Sequence, residues 1–127
     1  MSGPRLGAVA ERTYRVAAAD TAAAVGSGDV AVLATPRLLA WFEAATVSAL
    51  DGTLAATDTS VGTRVAVDHV AASPVGTEVT VRAEVAGVDG RLVRFDVVAH
   101  HPDGKAVAHG RITRVIVNRD RFLNRVG

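Results

Sequence analysis

The chain has 127 residues, about half of them apolar, with a formal net charge of +1 and no cysteine. That length supports one core and not two. The missing cysteines exclude disulfides, thiolate metal sites and a cysteine nucleophile, and the scattered charge leaves no basic block for nucleic acid. No stretch approaches the roughly 20 apolar residues of a membrane span, and Met1–Ala10 has no apolar leader core, so a single soluble, cytoplasmic domain spanning residues 1–127 is expected.

Aromatic residues are scarce while alanine and valine abound, a palette that suits strands around one tightly packed helix. Glu11–Ala17 reads as a short strand with Tyr14 and Val16 facing inward. The alanine-rich stretch that follows, ending in Gly26-Ser27-Gly28, reads as an irregular or mobile connector. Thr35-Pro36 then marks a helix start: a threonine hydroxyl can accept a hydrogen bond at the cap, and proline is preset for the first helical position. The helix is predicted over Pro36–Leu50, before Asp51-Gly52. Leu38, Phe42, Ala45 and Ala49 recur at helical spacing, and Leu39, Trp41, Thr46 and Leu50 widen the apolar surface until little of the helix is solvent-facing.

Four strands are predicted after it: Val61–Asp68, Thr77–Val85, Arg91–His100 and Lys105–Val117. Asp89-Gly90 and Pro102-Asp103-Gly104 supply turn residues between the last three, which are therefore antiparallel. Val79, Val81, Ala83 and Val85 alternate with polar residues, as do Val93, Phe95, Val97 and Ala99, so one sheet face is buried. One strand, one buried helix and a long meander are the order of an α+β hot-dog fold, an antiparallel sheet wrapped around a central helix.

Several residues break this pattern. Glu43 puts a carboxylate into the apolar run Leu38-Leu39-Ala40-Trp41-Phe42, which is costly unless the group is paired or used; a single wet stripe on the helix would equally accommodate it. Thr35 is fully explained as a cap, and by itself says nothing of chemistry. His69 closes a strand, where sites on rigid sheets often lie, although a surface histidine is the commoner case. Arg114 shares the small and apolar phase of Ala106, Ala108, Gly110, Ile112 and Ile116, so it either binds an anion from the buried side or is turned out by a bulge. His100, His101 and His109 do not complete a metal site, because adjacent strand residues point to opposite faces. Walker, GxGxxG and GxSxG signatures are missing.

In order and spacing, the segments Ala34-Thr35-Pro36 to Trp41-Phe42-Glu43-Ala44, Val61-Gly62-Thr63 to Asp68-His69-Val70, and Thr113-Arg114-Val115-Ile116 to Arg119-Asp120-Arg121-Phe122 resemble the fluoroacetyl-CoA thioesterase family of hot-dog proteins. Thr35 stands eight residues before Glu43 and Gly62 seven before His69, both steps fitting the family pattern. The resemblance implies an acyl-CoA thioesterase in which Thr35, Glu43 and His69 form the catalytic group while Gly62 and Arg114 position the thioester and its CoA portion. It implies a homodimer that builds its site at a shared interface; no cofactor and no metal are expected. Thioester hydrolysis needs a base or nucleophile and an oxyanion donor, roles open to Glu43 and the Gly62 N–H. Gly28-Asp29-Val30-Ala31-Val32-Leu33 has no aromatic residue where the family has a gating ring, so a small or medium acyl group is expected. The competing readings are a non-catalytic acyl-CoA or small-ligand binding module, a hot-dog hydratase, and a structural role.

Overall fold

Valine alternating with polar residues can bury only one side of a strand, and Glu78–Asp89 and Leu92–His100 do so. A computed structural model describes residues 3–126. Five strands, β1 (Val9–Arg15), β2 (Asp58–His69), β3 (Glu78–Asp89), β4 (Leu92–His100) and β5 (Ala106–Asn118), form an antiparallel sheet in the order β1-β3-β4-β5-β2. The helices are α1 (Ala22–Val25), α2 (Thr35–Ala49) and α3 (Arg119–Val126). This is the expected hot-dog arrangement. Leu38, Phe42, Ala45 and Ala49 of α2 share one buried cluster with the inward valines of β3 and β4, Phe95 and Ile112. Among the described residues no helix is long and apolar enough to cross a membrane.

The predicted strands lie where expected, with shifted ends. Ala17 does not extend β1: its N–H donates to the Asp20 carboxylate and opens a turn. Val16 is buried, while Tyr14 is half-buried and stacks on Trp41 of α2, with ring centroids 4.3 Å apart. The alanine-rich connector is not irregular. Ala18–Asp20 forms a 3-10 turn, and α1 is capped by Thr21, whose hydroxyl accepts from the Ala24 N–H. Arg37 of α2 pairs with Asp20 at 3.2 Å, tying these turns to the start of the long helix. Caps and one ion pair order a stretch that composition alone reads as loose.

Thr35 is also placed differently. Ala34 is the N-cap of α2, without a side-chain bond, and Thr35 and Pro36 are the first two helical residues. The threonine hydroxyl is thereby free of capping. In β5 the small-residue phase breaks at its start, because the register shifts between Ala99 and His100; Ala106 is exposed while Val107 and Ala108 are both buried.

Strand β2 lies at the margin of the sheet. Among the described residues it pairs only with β5, leaving its other edge open, and Gly62–Ala66 are exposed. It also runs close against β5 at Gly110, where a Cβ would collide with the Ala66 carbonyl oxygen and the Val67 backbone. Glycine alone permits that approach.

Candidate active site

The Thr35 hydroxyl, at the first turn of α2, lies 2.7 Å from Nδ1 of His69, the last residue of β2. Burial holds the His69 pKa below the ordinary histidine value of 6.5, an effect partly offset by the Ala71 backbone. The imidazole is therefore neutral at neutral pH, with one N–H and one lone pair. Nδ1 is engaged by Thr35, whereas Nε2 is buried and, among the described residues, without a partner. A buried polar nitrogen left unpaired is costly and rare, so this atom is a candidate for contact with a ligand or reacting water.

Glu43 belongs to a second cluster. Eight residues beyond Thr35, it stands about 12 Å further along the helix axis. Its Oε2 is 3.4 Å from Arg114 Nη1, and a Cβ on Gly62 would lie 2.5 Å from the same oxygen. Gly62 thus leaves the space that the carboxylate occupies. The bulge between Gly62 and Arg64 interrupts the β2 ladder at this point. Arg114 is 7% exposed and points inward as its phase predicts, not outward at a bulge. Its Nε donates to Ser60 Oγ at 2.9 Å and its Nη2 to the Ser60 carbonyl at 3.1 Å. Desolvation lowers the Arg114 pKa, and attraction from Glu43 opposes this; a guanidinium stays charged throughout the ordinary pH range regardless.

The five residues singled out from the sequence therefore form two groups within one chain: Thr35 with His69, and Glu43 with Gly62 and Arg114. No hydrogen bond joins the groups among the described residues. Ser60 escaped the sequence reading, although its signal was available: it precedes Gly62 by two residues and so shares its face of β2. Ser73 escaped as well. It is fully buried, its hydroxyl is 2.7 Å from His101 Nε2, and its carbonyl accepts from the Leu33 N–H, so it anchors the loop after His69 beside the entry to α2. His101 is engaged there, and His109 lies 3.9 Å from Asp68. Among the described residues no group of three His, Cys, Asp or Glu could hold a metal ion.

Thr35 and His69 line a cleft of about 370 Å³ whose other walls include Ala22, Gly28, Asp29, Val30 and Val32. Its apolar walls are small aliphatic side chains, with no aromatic ring. On α2, Ala40 and Val47 are exposed and Leu39, Glu43 and Ala44 only half-buried. The sheet of one chain thus covers just one side of the helix, less than the apolar pattern of α2 calls for.

Fold and site together define a hot-dog protein of the thioesterase kind. The chain belongs to the fluoroacetyl-CoA-specific thioesterase family, whose model matches residues 16–120. It is 35% identical over 96 residues to the fluoroacetyl-CoA thioesterase of Streptantibioticus cattleyicolor, an alignment covering 75% of this chain and 68% of that protein. The crystal structure of a mutant of the fluoroacetyl-CoA-specific thioesterase FlK, in complex with fluoroacetate and CoA, superposes with a TM-score of 0.86 at 28% identity, covering 93% of this chain and 98% of the other. A hot-dog-like protein from Thermanaerovibrio acidaminovorans superposes with a TM-score of 0.87 at 29% identity, over 95% of this chain and 89% of that one.

Proposed function

We propose that this protein hydrolyses small or medium acyl-CoA thioesters to the free acid and CoA in the cytoplasm, as a homodimer whose site is shared between two copies. The carrying observation is the hydrogen-bonded Thr35–His69 pair, whose Nε2 has no partner among the described residues, in a cleft whose apolar walls are small aliphatic side chains. Water adds to the thioester carbonyl, the C–S bond breaks, and the CoA sulfur leaves with a proton. Glu43, held by Arg114, takes the proton from that water; in the nucleophilic alternative it attacks the carbonyl first, expels the CoA thiolate to form a mixed anhydride, and water then cleaves the anhydride to the free acid and the restored carboxylate. Thr35 and His69 steer protons, and the Gly62 N–H faces the developing oxyanion. Arg114 acts by fixing the Glu43 carboxylate, with Ser60 fixing Arg114 in turn. Aliphatic walls suit a short acyl chain, and the relatives that act on acyl-CoA lend the substrate class.

The dimer accounts for what one chain leaves unfinished. A second copy adding its β2 to the open edge satisfies the exposed strand and covers the bare side of α2. An antiparallel β2 pairing centred near Val65 sets Gly62, and Glu43 above it, toward His69 of the partner subunit. The two groups of residues are then halves of one site.

CoA release from short, medium and aromatic acyl-CoAs, measured for the native protein and Glu43→Gln, tests the reading. Turnover that falls about 10²-fold or more in the variant is expected. Turnover of none of these esters, with CoA still bound, would favour a binding module instead.

A further inference from the structure

The far end of β5 carries a cationic cleft that the proposed chemistry leaves unused. We propose that the cleft walled by Arg91, Arg121 and Arg125, with Phe122 in its lining, binds the phosphorylated adenosine end of CoA, an inference that rests on the thioesterase reading above.

Between α3, the end of β5 and Arg91 lies a cavity of about 230 Å³. Its lining contains these three arginines and no carboxylate. A second cavity, also about 230 Å³, opens beside α3 and is lined by Arg119, Phe122, Thr59, Ser60 and Val61. Phe122 is common to both. Ser60, in the lining of the second cavity, accepts from Arg114, which in turn lies against Glu43. The arginine-lined cavity thus has Phe122 as a common wall with a cavity that touches Ser60, a hydrogen-bond partner of Arg114.

Arg121 is placed at a cost that an anion would relieve. Arg121 and Arg125 are one helical turn apart, where like charges repel. Arg119 and Arg121 stand in the first turn of α3, where the helix dipole disfavours cations. Asn118 caps that turn, its side-chain oxygen accepting from the Arg121 N–H. Arg91 is oriented by donating to the Ile116 carbonyl at 3.1 Å, and Asp58 lies 3.7 Å from it. Arg121 and Arg125 make no ion pair among the described residues. The corner carries four arginines against Asp58 and Asp120. Arginine forks match phosphate oxygens, and a half-exposed phenylalanine offers a face to a purine. Each cavity is smaller than a site that engulfs a whole small-molecule ligand, as suits a place that holds one end of an extended molecule.

The test compares native protein with the double variant Arg121→Gln/Arg125→Gln on the same acyl group carried by CoA and by N-acetylcysteamine, which lacks the nucleotide. Both arginines are exposed on a surface helix, so the fold should persist. For the CoA ester, KM is expected to rise roughly tenfold with kcat nearly unchanged; for the N-acetylcysteamine ester neither constant should move. Raising the ionic strength should weaken the native protein's use of the CoA ester more than the variant's. Arg5→Gln, which removes a similar charge from the N-terminal segment, should behave as native. An unchanged KM for the CoA ester, or equal losses on both esters, would overturn the proposal. Should the native protein hydrolyse neither ester, the thioesterase reading fails, and calorimetric titration with CoA decides the cleft. Binding that weakens in the double variant supports it; equal binding, or none by the native protein, overturns it.

Discussion

Thr35 Oγ1 and His69 Nδ1 are 2.7 Å apart, joining the first turn of α2 to the last residue of β2. The hydroxyl, not the methyl group, makes this contact. Thr35→Ser should therefore retain most turnover, while Thr35→Val, nearly isosteric, should lose about 10²-fold in kcat. Steady-state kinetics on the preferred acyl-CoA measures both; equal losses would show that shape and not the hydroxyl matters.

Burial lowers the His69 pKa, so the folded protein binds a proton at this ring less readily than the unfolded chain. Below pH 6.5 the unfolded state gains protons that the folded state resists. Stability from this group is thus fully present above 6.5 and declines as the pH falls through that value toward the lower folded pKa. Denaturant unfolding from pH 7.5 to 5 should show the native protein losing more stability than His69→Gln. Parallel curves would remove His69 from the titration.

Gly62→Ala would put a methyl group where Glu43 Oε2 now lies, only 2.5 Å from the new carbon. The carboxylate must move, because the β2 backbone is held by β5. Activity should fall at least tenfold while the protein remains folded. A crystal structure of the variant with Glu43 unmoved would contradict this account.

Gly110→Ala strikes the sheet itself. Its methyl group would collide with the backbone of Ala66 and Val67, and backbone cannot swing aside as a flexible side chain can. A loss of about 1–3 kcal/mol in stability is expected by chemical denaturation. Because β2, the strand it would displace, carries His69, turnover should fall as well.

A shared site predicts complementation. Glu43→Gln and His69→Gln should each be inactive alone. Mixed and allowed to exchange subunits, half of the dimers are hybrids with one intact site, so about a quarter of native activity should return. Sites complete within one chain would recover nothing. Light scattering of the native protein should give twice the chain mass.

Much of the fold was legible along the chain. The two-residue alternation in β3 and β4, the turn residues between strands and the helical spacing of Leu38, Phe42, Ala45 and Ala49 are local properties with one physical solution each: an apolar face must be covered. Glu43 and Arg114 stood out as charges in apolar phases, whereas Thr35, Gly62 and His69 were joined to them only by the order and spacing of segments that resemble the thioesterase family. The tertiary structure decided the rest. Only the crossing of α2 over the sheet takes Thr35 from cap to partner of His69. Only the bulge in β2 and its register against β5 set Ser60, Arg114 and Glu43 in line. Such contacts join residues as many as 71 positions apart, and no local pattern encodes which distant side chain will arrive. The connector before α2 shows the same limit in reverse: its composition read as an irregular or mobile link, while Thr21, Asp20 and Arg37 supply caps and a tether whose effect depends on where the long helix ends up.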